Sequence, residues 1–309
     1  MKISVIGAGN VGALSAMRIA QDSHDEVLLV DIAKGIACGK SLDMEDASSI
    51  LKTDYSIRGT LDISEIKNSD VVIVTAGLAR KPGMTREDLL NKNAAIVKDV
   101  TLNIKKFCPS SVVIIVTNPL DLMTYLAIKV TGFKPHKVFG MGITLDASRF
   151  ANLISKELKV PVTDIEPCVI GIHGEGMLPL ERLTKIKGVG LGEFMDDKKI
   201  EELVRRTVLR GAEIVSFLGS GSAYFAPSVA VAEVVRSVAG DQKRILGVSA
   251  YLSGEYGVKD LCIGVPCRLG KSGIEQIIEL DLDSTEKKAF SDCARTLREN
   301  LAQINQLIS

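Results

Sequence analysis

His173 closes an apolar run, Val169-Ile170-Gly171-Ile172, and is followed by Gly174 and Glu175. Imidazole titrates near neutrality, so a histidine in a strand-end loop suits general acid/base work. The plainer reading is a structural histidine with its hydrogen bonds satisfied. The chain has only two others. His24 lies in the polar turn Ser23-His24-Asp25-Glu26 and reads as solvent-exposed, while His136 follows Pro135 ahead of a strand and reads as structural. Asp146 and Arg149 occur in Thr144-Leu145-Asp146-Ala147-Ser148-Arg149-Phe150, three apart. On a helix that spacing puts both side chains on one face. Such a pair is either a solvated surface ion pair of little energetic weight or a carboxylate and a guanidinium serving one site.

Arg80-Lys81-Pro82-Gly83-Met84-Thr85-Arg86 follows the buried-strand run Val71-Val72-Ile73-Val74. Two arginines therefore stand in a Pro/Gly loop at the carboxyl end of a strand, the edge where open α/β sheets bind ligands. The guanidinium fork pairs bidentately with carboxylate or phosphate, which points to an anionic substrate. A solvated basic loop is the alternative. Asn118, in Val116-Thr117-Asn118-Pro119, ends another apolar run. Its amide is placed to meet both cofactor and substrate, or else to form a turn before proline.

Gly7-Ala8-Gly9-Asn10-Val11-Gly12 is a GxGxxG that follows one strand and opens a helix. Asp31 ends the next strand, Val27-Leu28-Leu29-Val30, and lies 19 residues past Gly12, close to the roughly 20 of the dinucleotide fingerprint. The glycines admit a pyrophosphate to the helix N-terminus. Asp31 would accept hydrogen bonds from a ribose 2′-hydroxyl and repel a 2′-phosphate, which favours NAD over NADP; Lys34 is the nearby residue of opposite sign. The alternative is a helix-start glycine cluster with Asp31 in a surface turn.

The elements that must position these residues follow from patterning. Apolar β-branched runs at 2–6, 27–30, 70–76, 111–117 and 137–141 alternate with helical patterns at 11–21, 85–106 and 120–131, which predicts a parallel, doubly wound sheet. The second half changes character: a helix near 144–158, a strand near 166–172, long helices at 197–218 and 223–239, and β-runs at 246–253 and 260–266. A Gly254-Glu255-Tyr256-Gly257 turn joins those runs as a hairpin, and a last helix spans 284–307. The expected fold class is α/β, a Rossmann-type doubly wound sheet in residues 1–143, with a second, α+β substrate domain in 144–309.

The chain has 309 residues, 46% hydrophobic and 25% charged, with 38 basic and 38 acidic residues. That balance argues against nucleic-acid and membrane-surface partners. No apolar run reaches the ~18 residues of a membrane helix. The glycines at 7, 9 and 12 interrupt anything resembling a signal peptide, so the chain reads as soluble and unprocessed. Six cysteines without a CxxC pair read as reduced thiols of a cytoplasmic protein.

Taken together and in this order, these motifs resemble the lactate/malate dehydrogenase family, over essentially the whole chain. The likeness is closest to its malate dehydrogenases of lactate-dehydrogenase-like type. The resemblance implies NAD-dependent oxidation of (S)-malate to oxaloacetate in the tricarboxylic acid cycle, by a homodimer or homotetramer acting on a small dicarboxylate. It implies His173 as acid/base, Asp146 as its orienting partner, Arg149 on the C1 carboxylate and Arg86 on the reacting carbonyl. Arg80 would bind the second carboxylate, and Asn118 would touch substrate and nicotinamide. Residues 7–12, Asp31, Asn93, Val116 and Thr117 are the remaining implied cofactor contacts, and no metal is implied. A neutral imidazole would take the hydroxyl proton while the carboxylate stabilises the imidazolium. Pro82 and Gly83 fit a closing lid with Gly77 as its bend.

Arg80 separates malate from lactate specificity, because pyruvate would leave its guanidinium unpaired. An NAD-dependent, metal-requiring glycosidase would place a cysteine near Asn118, and this chain has none there. A non-catalytic NAD-binding protein would be expected to lack part of the His173, Asp146, Arg149, Arg86 and Arg80 set. The chain departs from the family in Glu175-Gly176 after the histidine, where an Asp and a small polar residue are commoner.

Overall fold

The structure, a computed structural model, describes residues 1–22, 25–78 and 85–308, the side chains of Arg86, Leu307 and Ile308 excepted. His24 and Arg80, and the Arg86 side chain, thus lie outside the described residues. The first half is built from strands β1 (Lys2–Ile6), β2 (Glu26–Val30), β3 (Ser56–Thr60), β4 (Val71–Val74), β5 (Val112–Ile115) and β6 (Val138–Met141). Between them run helices α1 (Asn10–Asp22), α2 (Ile36–Leu51), α3 (Arg86–Phe107) and α4 (Leu120–Thr131). The strands pair in parallel in the order 3-2-1-4-5-6. This is the doubly wound order, with its reversal between β1 and β4 marking the ligand crevice. Every residue of β4 and β5 is buried, as a strand covered by helices on both faces requires.

The second half contributes α5 (Ile143–Leu158), β7 (Ile165–Glu166), β8 (Val169–Gly171), β9 (Met177–Pro179), β10 (Lys185–Ile186) and β11 (Val189–Gly190). After them come α6 (Asp197–Leu218), α7 (Phe225–Ala239), β12 (Arg244–Ser253), β13 (Lys259–Gly270), β14 (Gly273–Ile277) and α8 (Ser284–Ile308). β12 pairs antiparallel with β6, so the parallel sheet continues into an antiparallel one, β12-β13-β8-β9. The expected hairpin is β12–β13, turning through a short 3-10 segment at Glu255–Gly257. A separate three-stranded sheet joins β11, β10 and β7.

Two buried apolar clusters follow from this arrangement. One spans the long sheet with α1, α3, α4, α7 and α8. The other gathers Phe150, Leu153, Ile154, Leu191 and Leu203 around α5 and α6. Full burial of one such side chain contributes about 1.5–3 kcal/mol. Helix α5 presents its apolar side to this second core and its polar residues Asp146 and Arg149 to the site.

Helix α2 and strands β3, β9, β10, β11 and β14 were not expected from periodicity. Helix α2 buries Ala37, Ser41 and Met44 but leaves Leu42, Ile50 and Leu51 exposed, so its apolar residues mark no inward stripe. Strand β3, Ser-Ile-Arg-Gly-Thr, is a short edge strand in which Gly59 interrupts the β-branched pattern. A Cβ there would stand 2.2 Å from the Ala37 carbonyl oxygen; the glycine is what lets α2 lie on β3. The single strand expected over 166–172 is instead two, β7 and β8, in different sheets.

Candidate active site

The glycine-rich loop shows three different reasons for its glycines. Gly7 has φ +105°, a conformation that L side chains rarely adopt, and a Cβ on it would meet Ala76 N at 2.6 Å. On Gly12 a Cβ would stand 1.9 Å from the Gly7 carbonyl oxygen, because α1 packs directly on the end of β1. Gly9 has nothing within 4 Å of such a position, and it is exposed at the start of α1 with Asn10. The protein thus closes on the first and third glycines and stays open at the second, which leaves main chain accessible to a ligand. Val11 follows within the first turn of α1.

Asp31 sits beside this loop. Its Oδ2 accepts the Ala8 N–H at 2.6 Å and its Oδ1 accepts the Ala33 N–H at 2.8 Å. Lys40, from α2, donates to the Ala8 carbonyl at 2.8 Å, so Ala8 is held at both its N–H and its carbonyl. Sequence reading missed Lys40, which reaches the loop from a helix that periodicity did not reveal. Open main chain at Gly9, a helix N-terminus and a carboxylate at the end of β2 fit a dinucleotide.

Across the reversal point, Asn93 on α3 is buried. Its Oδ1 accepts the Leu78 N–H at 2.8 Å, and its amide donates to Leu78 O at 3.2 Å and Asn118 O at 2.7 Å. It therefore fastens the residue that enters the arginine segment to the end of β5. Thr117 supports the same edge through hydrogen bonds to Ala76 O at 2.7 Å and Val74 O at 3.3 Å. A Cβ on Gly77 would meet Thr117 Cγ2 at 2.5 Å, which gives that glycine a packing reason apart from any bending. Val116 is half-buried and Asn118 exposed at this edge. Beyond the arginine segment, Thr85 caps α3: its hydroxyl accepts the Asp88 N–H at 3.0 Å while Asp88 accepts the Thr85 N–H at 3.1 Å. Such a cap contributes about 1 kcal/mol and fixes where α3 begins.

The group around His173 is assembled from two elements, the end of β8 and α5. Nδ1–H of His173, just past β8, donates to Asp146 Oδ2 at 2.7 Å. Arg149 donates to Asp146 Oδ1 at 3.1 Å. One fully buried carboxylate thus holds both groups, and the i,i+3 pair of the sequence is not a solvated ion pair. With Nδ1 committed, Nε2 is the nitrogen left to exchange a proton with a ligand. Burial opposes the imidazolium, but the charge and hydrogen bond of Asp146, with a further contribution from Asp121, outweigh it and raise the His173 pKa above its ordinary value. Burial lowers that of Arg149, which Asp146 partly counters.

Sequence reading also missed Asp121 and Ser249. Asp121 is in the first turn of α4 and is buried. It accepts the His173 N–H at 3.0 Å and the Ser249 hydroxyl at 2.6 Å. Burial pushes its carboxyl up to about 6, against those two hydrogen bonds. In sequence it is an acid at a helix start, a position favoured by the helix dipole alone, so nothing singled it out. Among the described residues, no group of three or more His, Cys, Asp or Glu side chains is arranged to hold a metal. No described helix is long and apolar enough to cross a membrane, and all six cysteines are free.

Two family models match. That of the lactate/malate dehydrogenase NAD binding domain covers residues 1–140, and that of the lactate/malate dehydrogenase alpha/beta C-terminal domain covers residues 143–308. A malate dehydrogenase of Methanosarcina mazei is 48% identical over 304 residues, 98% of this chain and 99% of that protein. The apo malate dehydrogenase of Picrophilus torridus superposes with a TM-score of 0.96 at 39% identity, covering 99% of this chain and 97% of that one. A Cryptosporidium parvum lactate dehydrogenase, solved with lactic acid and nicotinamide adenine dinucleotide, gives 0.93 at 37% identity, with 99% and 97% covered.

Proposed function

The chain belongs to the lactate/malate dehydrogenase family, and from that premise we propose that it is an NAD-dependent malate dehydrogenase with His173 as its acid/base. The carrying observation is the single Asp146 carboxylate that orients His173 and Arg149 together. NAD, when bound, supplies the hydride acceptor, and residues 7–12, Asp31, Asn93, Val116, Thr117 and Asn118 are assigned to hold it.

In this reading Nε2 of His173 takes the substrate hydroxyl proton, and Asp146 stabilises the resulting imidazolium. Arg149 has most of its fork free for the C1 carboxylate. Arg86 is assigned to the developing charge on the C2 oxygen and Arg80 to the distal carboxylate. Relatives named malate dehydrogenase at 43–48% identity over nearly the full chain support the dicarboxylate. Leaving Arg80 buried and unpaired over pyruvate would cost roughly 3–5 kcal/mol. Comparing kcat/KM for oxaloacetate and pyruvate with NADH tests the assignment; a preference for pyruvate overturns it in favour of lactate chemistry.

The division of labour is a cofactor domain over 1–143 and a substrate domain over 144–309, supported by the start of α5 at Ile143 with its own buried cluster. The six free thiols support a reducing, cytoplasmic compartment. The assigned reaction suits the tricarboxylic acid cycle. Exposed apolar side chains on α2, α6 and α7 support a homo-oligomer.

A further inference from the structure

His173 is held at two points. Its ring is fixed by Asp146 on α5, and its main-chain N–H is taken by a second buried carboxylate, Asp121 on α4. The loop that carries it turns back through Gly171 and Gly174, both at positive φ, and Ile172 N–H returns to Gly176 O at 3.1 Å. The His173 N–H is left out of that return, and the side chain of Asp121 takes it. Ser249 on β12 holds the other oxygen of the same carboxylate. β12 pairs with β6 at Gly140, two residues before Gly142, so Ser249 is anchored in the sheet beneath the site. Asp121 is also three residues past Asn118, on the segment that ends β5.

We propose that Asp121, fixed by Ser249, is a positioning residue for the acid/base histidine, holding its main chain by a hydrogen bond and its imidazolium by charge. This rests on the reading of His173 as the acid/base. An amide at 121 would satisfy the same two hydrogen bonds: its oxygen can accept the N–H, and its NH2 can donate to the serine oxygen. What a carboxylate adds is negative charge beside His173, in a site where burial makes that charge expensive. The other titratable groups facing Asp121 are Asp146 on α5, Cys262 on β13 and Cys293 on α8. Of the groups in this set only His173 carries a positive charge. Two carboxylates therefore favour one imidazolium, Asp146 through the ring and Asp121 through the loop.

The test follows the histidine itself. The chain has three histidines, so the ring of His173 is assignable by NMR from His24 and His136 with the H173N variant. Its titration is then recorded from about pH 5 to 9, across the range where histidine charge changes. Asp121→Asn is expected to move the His173 midpoint toward acid by about half a pH unit or more, without lowering the melting temperature. Ser249→Ala is expected to move it in the same direction by less, because it disfavours the charged form of Asp121. Asp121→Ala, which removes the acceptor, is expected to lower kcat on the order of tenfold to a hundredfold, with NADH affinity unchanged in a fluorescence titration. An unmoved midpoint in Asp121→Asn overturns the proposal; if that variant does not fold, an unmoved midpoint in Ser249→Ala does so. Wild-type enzyme inactive on oxaloacetate would overturn the malate assignment alone, since the ring titration needs no substrate.

Discussion

A Cβ on Gly142 would stand 2.9 Å from Cγ of His173 and 3.0 Å from its Cβ. The imidazole therefore lies against bare main chain between β6 and α5. The constraint on residue 142 is space. Leu120 Cδ2 closes the other side at 2.4 Å. Gly142→Ala is expected to push the ring off Asp146 and to lower kcat on the order of a hundredfold, as a displacement near 1 Å at a reacting group does. NADH affinity, measured separately by fluorescence, should stay within about twofold of wild type. Wild-type kcat in this variant would show that the ring tolerates the methyl group.

Asp146→Asn separates orientation from charge. With Asp146 present, the His173 pKa lies above its ordinary value, so imidazolium persists to higher pH. With His173 as the proposed acid/base, reduction of oxaloacetate would need the protonated ring and keep its rate as pH rises toward that midpoint, while oxidation of malate would need the neutral ring and rise through it. Removing the carboxylate leaves burial dominant, and burial disfavours the cation. The rising limb of kcat/KM for malate should move toward acid, and kcat should fall by about two orders of magnitude or more through a misplaced tautomer. The same pairing makes a pH-dependent contribution to stability. It is fully present below the ordinary histidine pKa and is lost as pH rises through the raised folded value. Thermal melts at acid and alkaline pH should therefore differ less in the variant than in wild type.

The sequence made the parallel, doubly wound sheet and the cofactor loop readable because both rest on local rules: β-branched runs mark buried parallel strands, and glycine spacing marks a loop whose main chain a ligand can approach. Spacing set Asp146 beside Arg149, and the family resemblance made Asp146 the partner of His173. That one buried carboxylate serves both was not legible, because His173 and Asp146 are 27 positions apart and meet only through α5 packing against β8. Asp121 and Ser249 were harder still. They are 128 positions apart, and each looks ordinary alone, an acid at a helix start and a serine in a strand. α2 and β3 escaped for a different reason: α2 turns apolar residues outward, and an edge strand with a glycine breaks the pattern by which strands are recognised.

Arg149→Lys probes the anion clamp. Arg149 spends one nitrogen on Asp146, which leaves the rest of its planar fork for a carboxylate. Lysine keeps the charge but offers a single point of contact on a different stem. KM for oxaloacetate should rise about tenfold to a hundredfold, with a smaller fall in kcat, the pattern of lost ground-state binding. An unchanged KM would move the C1 carboxylate to another residue. The pH midpoint of the reaction should shift little, because Asp146 still orients His173.

Asp31→Ser tests cofactor choice. The carboxylate holds the Ala8 and Ala33 N–H groups and carries the charge proposed to repel a 2′-phosphate. Serine removes the repulsion and one of the two acceptor oxygens. The ratio of kcat/KM for NADH over NADPH should fall by at least about tenfold, a change of 1.4 kcal/mol. Most of it should come as lost NADH efficiency, since the loop also loosens. A retained ratio would place discrimination elsewhere, with Lys40, which bonds the Ala8 carbonyl, a residue to vary next.

The proposed homo-oligomer would draw on exposed apolar side chains of α2, α6 and α7. Leu42 is 62% exposed, Ile50 82%, Phe217 84% and Phe225 63%. Leu42 and Ile50 are eight apart on α2 and share a face. Exposed large apolar side chains are the kind of surface that association covers, and a symmetric homodimer would bury them in matched pairs. Light scattering after size exclusion should give wild type at least twice the mass of one chain. Ile50→Lys combined with Phe217→Glu should reduce it to one, because each buried charge would lack a partner across the interface. A wild type that runs at the mass of a single chain would remove the oligomer from the account, and would leave those four side chains without a partner.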